Sequence, residues 1–105
     1  MTTSAEFQAL FQKGKRIERP SFVVLWRESP GPRRVGFAVS RQIDGAVGRN
    51  RVRRRLREAY RIARDVAPPG VALIVVGKAR ARAMPFDALT AQLRDALSDL
   101  RGRRP

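Results

Sequence analysis

The chain has 105 residues and a formal net charge of +14. The length fits one domain covering residues 1–105, and the charge favours a nucleic-acid partner over small acidic molecules. The sequence contains no cysteine and no histidine. This excludes disulfides, thiol nucleophiles, imidazole bases and the usual zinc ligands, so we expect no metal site and no unassisted catalysis by the protein itself.

The sequence has no segment typical of a membrane protein or a signal peptide. Its longest apolar run, residues 71–76, is far shorter than a membrane span. The first residues lack the basic and then apolar pattern of a signal peptide. We therefore expect a cytoplasmic protein with no membrane partner.

A short helix is predicted over residues 4–13, because Thr3 and Glu6 have the spacing of a capping box and Gly14 is a suitable stop. Phe7 and Phe11 fall on one side of this helix, and Leu10 lies about 100° away. Two interpretations stay open. Both rings belong to the core, or Leu10 alone anchors the helix and the rings line a groove beside it.

Two strands are predicted after a basic connector over residues 13–19. Residues 22–26, FVVLW, form a β-branched and aromatic run that predicts a strand buried on both faces. A turn with two prolines at residues 29–32 separates it from a strand over residues 34–40. The second strand alternates bulky and small side chains. One of its faces therefore belongs to the core, and the other is open to close approach by a helix or a ligand.

The central part of the sequence is the most basic, with nine arginines and two acids in residues 41–64. Asp44 is a suitable N-cap for a helix that runs from about Gly48 and ends before Pro68. One side of this helix is apolar and needs a core: Val52, Leu56, Ala59, Tyr60 and Ala63. The opposite arc, about 100° wide, is the arginine face and carries Asn50, Arg53, Arg54, Arg57, Arg61 and Arg64.

The arginine face is either a solvated charged surface or the binding site of a polyanion. Two i, i+4 ion pairs are available, Arg54 with Glu58 and Arg61 with Asp65, but two acids do not neutralise the row. Like charges four residues apart repel each other. The sequence therefore favours a polyanion as the partner.

Residues 71–76 predict a second buried strand, which completes a βαβ unit with a parallel pair. A basic loop over residues 77–82 follows, and Pro85 opens a last helix with a clear apolar period. Residues 101–105 are predicted to be a frayed basic tail. The order α-β-β-α-β-α predicts the α+β class, a small mixed sheet packed with helices, with an extra short strand allowed. The one concavity this order suggests lies between the first helix, the bare side of the sheet and the arginine helix.

Residues 46–58, AVGRNRVRRRLRE, follow a strand that ends in GFAVSR at residues 36–41. This strand and helix resemble the signature of the bacterial ribonuclease P protein component, in which a strand of the form G-x-x-V-S-K leads into an A-V-x-R-N-R helix. The resemblance covers nearly the whole chain.

The resemblance implies a subunit of an endoribonuclease whose catalyst is RNA. The partner RNA cuts the 5′ leader from precursor tRNA with Mg²⁺ ions that it mainly holds itself, and no DNA partner is expected. The residues that match the surface for the catalytic RNA are Arg41, Arg49, Asn50, Arg51, Arg53, Arg54, Arg57 and Arg61. Those that match the leader-binding cleft are Phe7, Phe11, Phe22 and Leu25. The family also implies a left-handed crossover between the parallel strands, against the usual preference.

Three positions depart from the family pattern. Leu25 stands where the family often has a tyrosine in the cleft wall, with Trp26 next to it. Gln42 stands where a second basic residue commonly follows Arg41, and residues 1–3, MTT, replace a basic arm. We expect one stacking contact and one RNA contact to be weaker as a result.

Three other functions stay open from the residues alone. The first is a ribosomal-type structural RNA-binding protein, for which such a charge is ordinary. The second is a DNA-binding module that places the basic helix in a major groove. The third is a protein-only nuclease, which needs paired carboxylates, whereas Asp44, Glu58 and Asp65 lie where salt bridges are expected.

Overall fold

The computed structural model describes residues 4–40, 43 and 45–103, except for the side chains of residues 4–7. These residues form three α-helices and four β-strands, which confirms the α+β class. The elements are α1 Ser4–Lys13, β1 Lys15–Arg19, β2 Phe22–Glu28, β3 Arg34–Val39, α2 Ala46–Ala63, β4 Val71–Gly77 and α3 Phe86–Arg103. Short 3-10 turns follow α2 and β4 at Arg64–Val66 and Ala79–Arg82. No helix in this described part is long and apolar enough to span a bilayer.

The strands form one mixed sheet in the order β1-β2-β4-β3. β4 is antiparallel to β2 and parallel to β3, with Val35 opposite Leu73 and Ala38 opposite Val76. The central strands β2 and β4 are buried on both faces, as their continuous apolar runs predict. The βαβ unit from β3 through α2 to β4 is therefore present, and the handedness of its crossover stays a prediction.

The helices cover the sheet from two sides. α2 and α3 pack on one face and share the larger core with Val24 of β2 and Leu73 of β4. α1 packs on the other face through Leu10, in a smaller core with Val23 and Ile74. The predicted single concavity between the first helix and the arginine helix is therefore wrong, because the sheet lies between them.

The predicted basic connector over residues 13–19 is also wrong, since Lys15–Arg19 is the edge strand β1. Ile17 is buried in the larger core, and most of the other residues of β1 are exposed. Charged side chains are common on edge strands because they discourage pairing with another sheet edge. One apolar residue within KRIER is too weak a pattern to predict a strand.

The start of α2 differs slightly from the prediction. The helix begins at Ala46 rather than at Gly48. Gly45, with a φ of 78°, occupies the N-cap position and, as a glycine, has no side chain with which to cap the helix. Asp44, the predicted N-cap, lies outside the described residues and precedes the position that the cap actually occupies.

The predicted frayed tail is wrong for residues 101–103, which form the last turn of α3. Arg103 donates a hydrogen bond of 3.1 Å to Asp99 one turn earlier. This i, i+4 pair and the buried Leu100 continue the helix to its end. Residues 104–105 lie outside the described part.

α2 lies very close to the end of β4. A Cβ atom at Gly77 would lie 2.5 Å from Val52 Cγ1 and 2.9 Å from Leu56 Cδ1. Both side chains are fully buried on the apolar side of α2. The missing side chain of Gly77 therefore sets how closely the arginine helix approaches the sheet.

Candidate nucleic-acid interface

The exposed side of α1 carries a ring that was predicted to line a groove. Leu10 is fully buried against the sheet, whereas the neighbouring Phe11 is 53% exposed. Of the two interpretations of α1, the second therefore holds for Phe11: Leu10 anchors the helix, and the Phe11 ring is available to a ligand. The side chain of Phe7 lies outside the described residues, so its role stays a prediction.

Phe22 and Leu25, the other two residues predicted for the leader-binding cleft, offer almost no surface. Phe22 is fully buried in the core beneath α2 and α3, on the opposite face of the sheet from α1, so this prediction is wrong. Leu25 lies on the α1 face but is only 2% exposed, because it belongs to the small core under α1. Trp26 points away from α1, with Lys15 Nζ 5.0 Å from its ring centre. Neither Leu25 nor Trp26 therefore offers the exposed ring that the tyrosine common in the family would provide for stacking.

The α1 face also carries two cations that the sequence analysis missed. A concavity of about 480 Å³ beside α1 is lined by Gln8, Ala9, Gln12, Lys13 and Arg27. Lys13 and Arg27 are both exposed and suit phosphate groups. Arg27 continues the alternation of Val23 and Leu25 along β2, which would have placed it on this face had the predicted strand been longer.

The basic residues of α2 form two surfaces rather than one. The first, which we call the strand flank, is a concavity of about 400 Å³ lined by Asn50, Arg53, Arg54 and Arg57. It adjoins β3, since the Arg57 guanidinium lies 6.0 Å from the ring centre of Phe37. The second, which we call the helix flank, adjoins α3 and is lined by Val47, Arg51, Arg54, Arg55, Glu58 and Phe86. Arg54 belongs to both surfaces and forms the ridge between them.

The two acids near the arginine face have other partners than those predicted. Glu58 accepts hydrogen bonds from Arg61, the shortest of them 3.0 Å, and not from Arg54. Asp65 pairs with Arg94 of α3 at 3.0 Å rather than with Arg61. These hydrogen bonds hold the pKa of both carboxyl groups below the ordinary values, so both are ionised at neutral pH.

Three guanidinium groups of α2 are available to a ligand. Arg51, Arg54 and Arg57 form no hydrogen bond or ion pair with any residue that the structure describes. Because they lie on both flanks of the helix, each flank keeps positive charge that no carboxylate of the described part neutralises.

Arg49 and Arg53 of α2 are held in place by short-range hydrogen bonds. Arg53 donates to the side-chain oxygen of Asn50 at 3.1 Å, and Arg49 donates to the carbonyl of Ile43 at 3.3 Å. These bonds reduce the freedom of the two arginine side chains before a ligand arrives. Arg41 lies outside the described residues, so its contact with RNA stays a prediction.

The described surfaces suit binding of nucleic acid. An exposed ring and two exposed cations lie on the α1 side of the sheet, and rows of guanidinium groups lie on the α2 side. Rings stack on bases and guanidinium groups contact phosphates, the combination used by proteins that bind RNA. Among the described side chains, those of residues 8–40, 43 and 45–103, no group of three or more acidic residues is placed to hold a metal ion. The fold, the α1 face and the basic surfaces of α2 together define an α+β nucleic-acid-binding protein.

Comparisons with known proteins assign the chain to a family. A family model described as Ribonuclease P matches residues 1–101. The ribonuclease P protein component of Gluconacetobacter diazotrophicus is 40% identical over 96 residues, which cover 89% of this chain and 83% of the relative. That of Kocuria rhizophila is 40% identical over 99 residues, covering 93% and 88%. The solved RNase P protein from Thermotoga maritima matches with a TM-score of 0.83 and 26% identity over 94% of both chains. The chain belongs to the ribonuclease P protein family.

Proposed function

We propose that this chain is the protein subunit of a ribonuclease P ribonucleoprotein, an endoribonuclease that removes the 5′ leader from precursor tRNA. In this proposal the partner RNA performs the hydrolysis, and the Mg²⁺ ions that it needs are held mainly by that RNA. The protein binds the catalytic RNA through α2 and the single-stranded leader through the α1 face. We expect the complex in the cytoplasm.

The exposed ring of Phe11 is the observation that carries the leader-binding role. An unpaired leader presents base faces, and a base stacked on an aromatic ring contributes about 1–3 kcal/mol without reading sequence. Lys13 and Arg27 lie on the same face and supply positive charge for the leader backbone. The α1 face therefore has both parts of a surface for single-stranded RNA.

The distribution of charge supports contact between α2 and the larger RNA. α2 contains seven arginines and one glutamate, whereas α3 contains three arginines and three aspartates. The difference, a net +6 against zero, supports contact of the polyanion with α2 rather than with α3. Arginine also suits this role because its planar fork binds phosphates with two hydrogen bonds.

The test of the proposed function compares precursor and mature tRNA in the reconstituted ribonucleoprotein. Phe11→Ala should weaken binding of precursor tRNA by roughly tenfold, the loss of one stacked base, and leave binding of mature tRNA unchanged. The double variant, in which Phe7→Ala is added, should lose more affinity for precursor tRNA than Phe11→Ala alone. Ile62→Ala is the matched control, since it removes an apolar side chain that is 45% exposed on α2.

The two substrates separate the outcomes clearly. An equal loss for precursor and mature tRNA, or no loss for either, would contradict leader binding on the α1 face. Failure of the unmodified protein to stimulate cleavage by the catalytic RNA would contradict the proposed function as a whole.

A further inference from the structure

The helix flank of α2 is a groove with an aromatic wall. Its volume of about 420 Å³ falls in the range of pockets that hold small ligands, and it lies between α2 and the first turn of α3. Phe86 is 37% exposed and Val47 is 81% exposed. The groove therefore presents apolar and aromatic surface beside charged side chains, as surfaces for unpaired nucleotides do.

Arg55 binds the backbone that precedes Phe86 and lies beside its ring. Its Nε donates a hydrogen bond of 3.1 Å to the carbonyl of Ala81, and its Nη2 donates to the carbonyl of Met84. The guanidinium carbon lies 6.0 Å from the ring centre of Phe86. These contacts attach the connection between β4 and α3 to α2. The backbone before Phe86 is thus fixed before a base stacks on the ring, which lowers the ordering cost of binding.

The groove is positively charged. Arg51 and Arg54 border it, and neither has a hydrogen bond or ion pair within the described part of the chain. The one acid in its lining, Glu58, is bound to Arg61, whose charge offsets it. Two guanidinium groups are thus available for a phosphate beside the ring.

We propose that the helix flank binds one unpaired nucleotide of the catalytic RNA, with the base stacked on Phe86 and the phosphate bound by Arg51 and Arg54. This inference rests on the proposed function and adds a stacking site to it. α2 and Phe11 lie on opposite faces of the sheet, which assigns the groove to the large RNA and not to the leader. The ridge at Arg54 then separates two segments of that RNA.

The test measures the affinity of the full protein for the catalytic RNA at fixed salt and Mg²⁺. Phe86→Leu keeps an apolar contact for Arg55 but removes the ring, and we expect roughly tenfold weaker binding, as for the loss of one stacked base. Phe86→Tyr keeps the ring and should bind within about twofold of the unmodified protein. A leucine variant that binds like the unmodified protein would overturn the proposal.

A charge substitution tests the same groove without changing the ring. Val47→Glu adds a carboxylate in the first turn of α2, where an acid favours the helix, next to Arg51 one turn later. We expect it to weaken RNA binding by roughly tenfold, because it takes up a phosphate-binding group. Ala91→Glu adds the same charge on the exposed side of α3 and is the matched control. Equal losses for the two variants would show a general charge effect and overturn the site.

Cleavage of precursor tRNA separates this proposal from the function on which it rests. If the unmodified protein neither binds the catalytic RNA nor stimulates cleavage, the proposed function is wrong. If it does both while the leucine and glutamate variants keep full affinity, only the stacking site is wrong. Retained RNA affinity together with weaker self-association in sedimentation would assign the groove to a second copy of the chain instead.

Discussion

Replacing Gly77 by alanine should destabilise the protein by about 1–3 kcal/mol, the usual cost of an extra methyl group in a filled core. The new Cβ would lie 2.5 Å from Val52 Cγ1 and 2.9 Å from Leu56 Cδ1, well inside the 3.4 Å at which ordinary contact begins. Both side chains are fully buried, and valine in a helix has one strongly preferred rotamer. The methyl group therefore forces α2 away from β4.

Thermal and urea denaturation, followed by the fluorescence of Trp26, measures this effect, because the one tryptophan is buried in the same core. In a domain of this size the loss lowers Tm by about 5–15 °C. Gly102→Ala is the matched control, since Gly102 lies in α3 and a Cβ atom added there would have no described atom within 4 Å outside its own stretch of helix. Alanine there should stabilise the helix by up to about 1 kcal/mol. A Gly77 variant as stable as the unmodified protein would refute the close contact between α2 and β4.

Three further predictions concern charge and hydrogen bonding. If the complex makes about six phosphate contacts, a plot of log binding constant against log salt concentration should have a slope near −4 to −5. Alanine at the three arginines of the strand flank should make this slope shallower by about 2 to 3. The same variant should need more Mg²⁺ for cleavage, whereas alanine at the three arginines of α3, an equal change in charge, should leave slope and Mg²⁺ requirement almost unchanged. Hydrogen bonds from Arg103 and then Arg19 hold the pKa of Asp99 below its ordinary 3.8. The ionised carboxylate of Asp99 therefore stabilises the folded protein above about pH 3.8, and this stability is lost as the pH falls through the lowered pKa. Asp99→Asn should remove this loss and flatten the profile of Tm against pH in that range. Ser21 is buried and donates a 2.7 Å hydrogen bond to Gln92. Ser21→Ala should therefore lower the free energy of unfolding, measured by urea denaturation, by about 1 kcal/mol.

The elements with a strong apolar period could be predicted from sequence, to within one residue for β4 and to within three residues for the end of α3. The run from Val71 predicted β4, and the stripe through Val52 and Leu56 predicted α2, because burial of such patterns outweighs local propensity. The sequence allowed an extra short strand but did not locate it at β1, because β1 contributes one side chain, Ile17, to the core. Its pairing with β2 is a tertiary contact that a five-residue pattern does not show.

The site was harder to predict than the fold, because its geometry depends on which elements lie side by side. The pattern of β2 placed Phe22 in a buried strand but did not show on which side of the sheet α1 packs. The helical arc of α2 grouped Arg53 with Arg61, whereas β3 and α3 divide the basic residues between two flanks. The position of Phe86 in the apolar period of α3 predicted a core residue, whereas the ring is 37% exposed and lies beside Arg55.

The position of the sheet between α1 and α2 has a consequence for assembly. Protein cores are packed as densely as organic crystals and yield little to compression. A single-stranded RNA leader bound on the α1 face and a large folded RNA bound to α2 would therefore be kept a constant distance apart by the thickness of the core. In this complex the protein would act as a molecular gauge, which sets the spacing between substrate and catalyst without touching the bond that breaks.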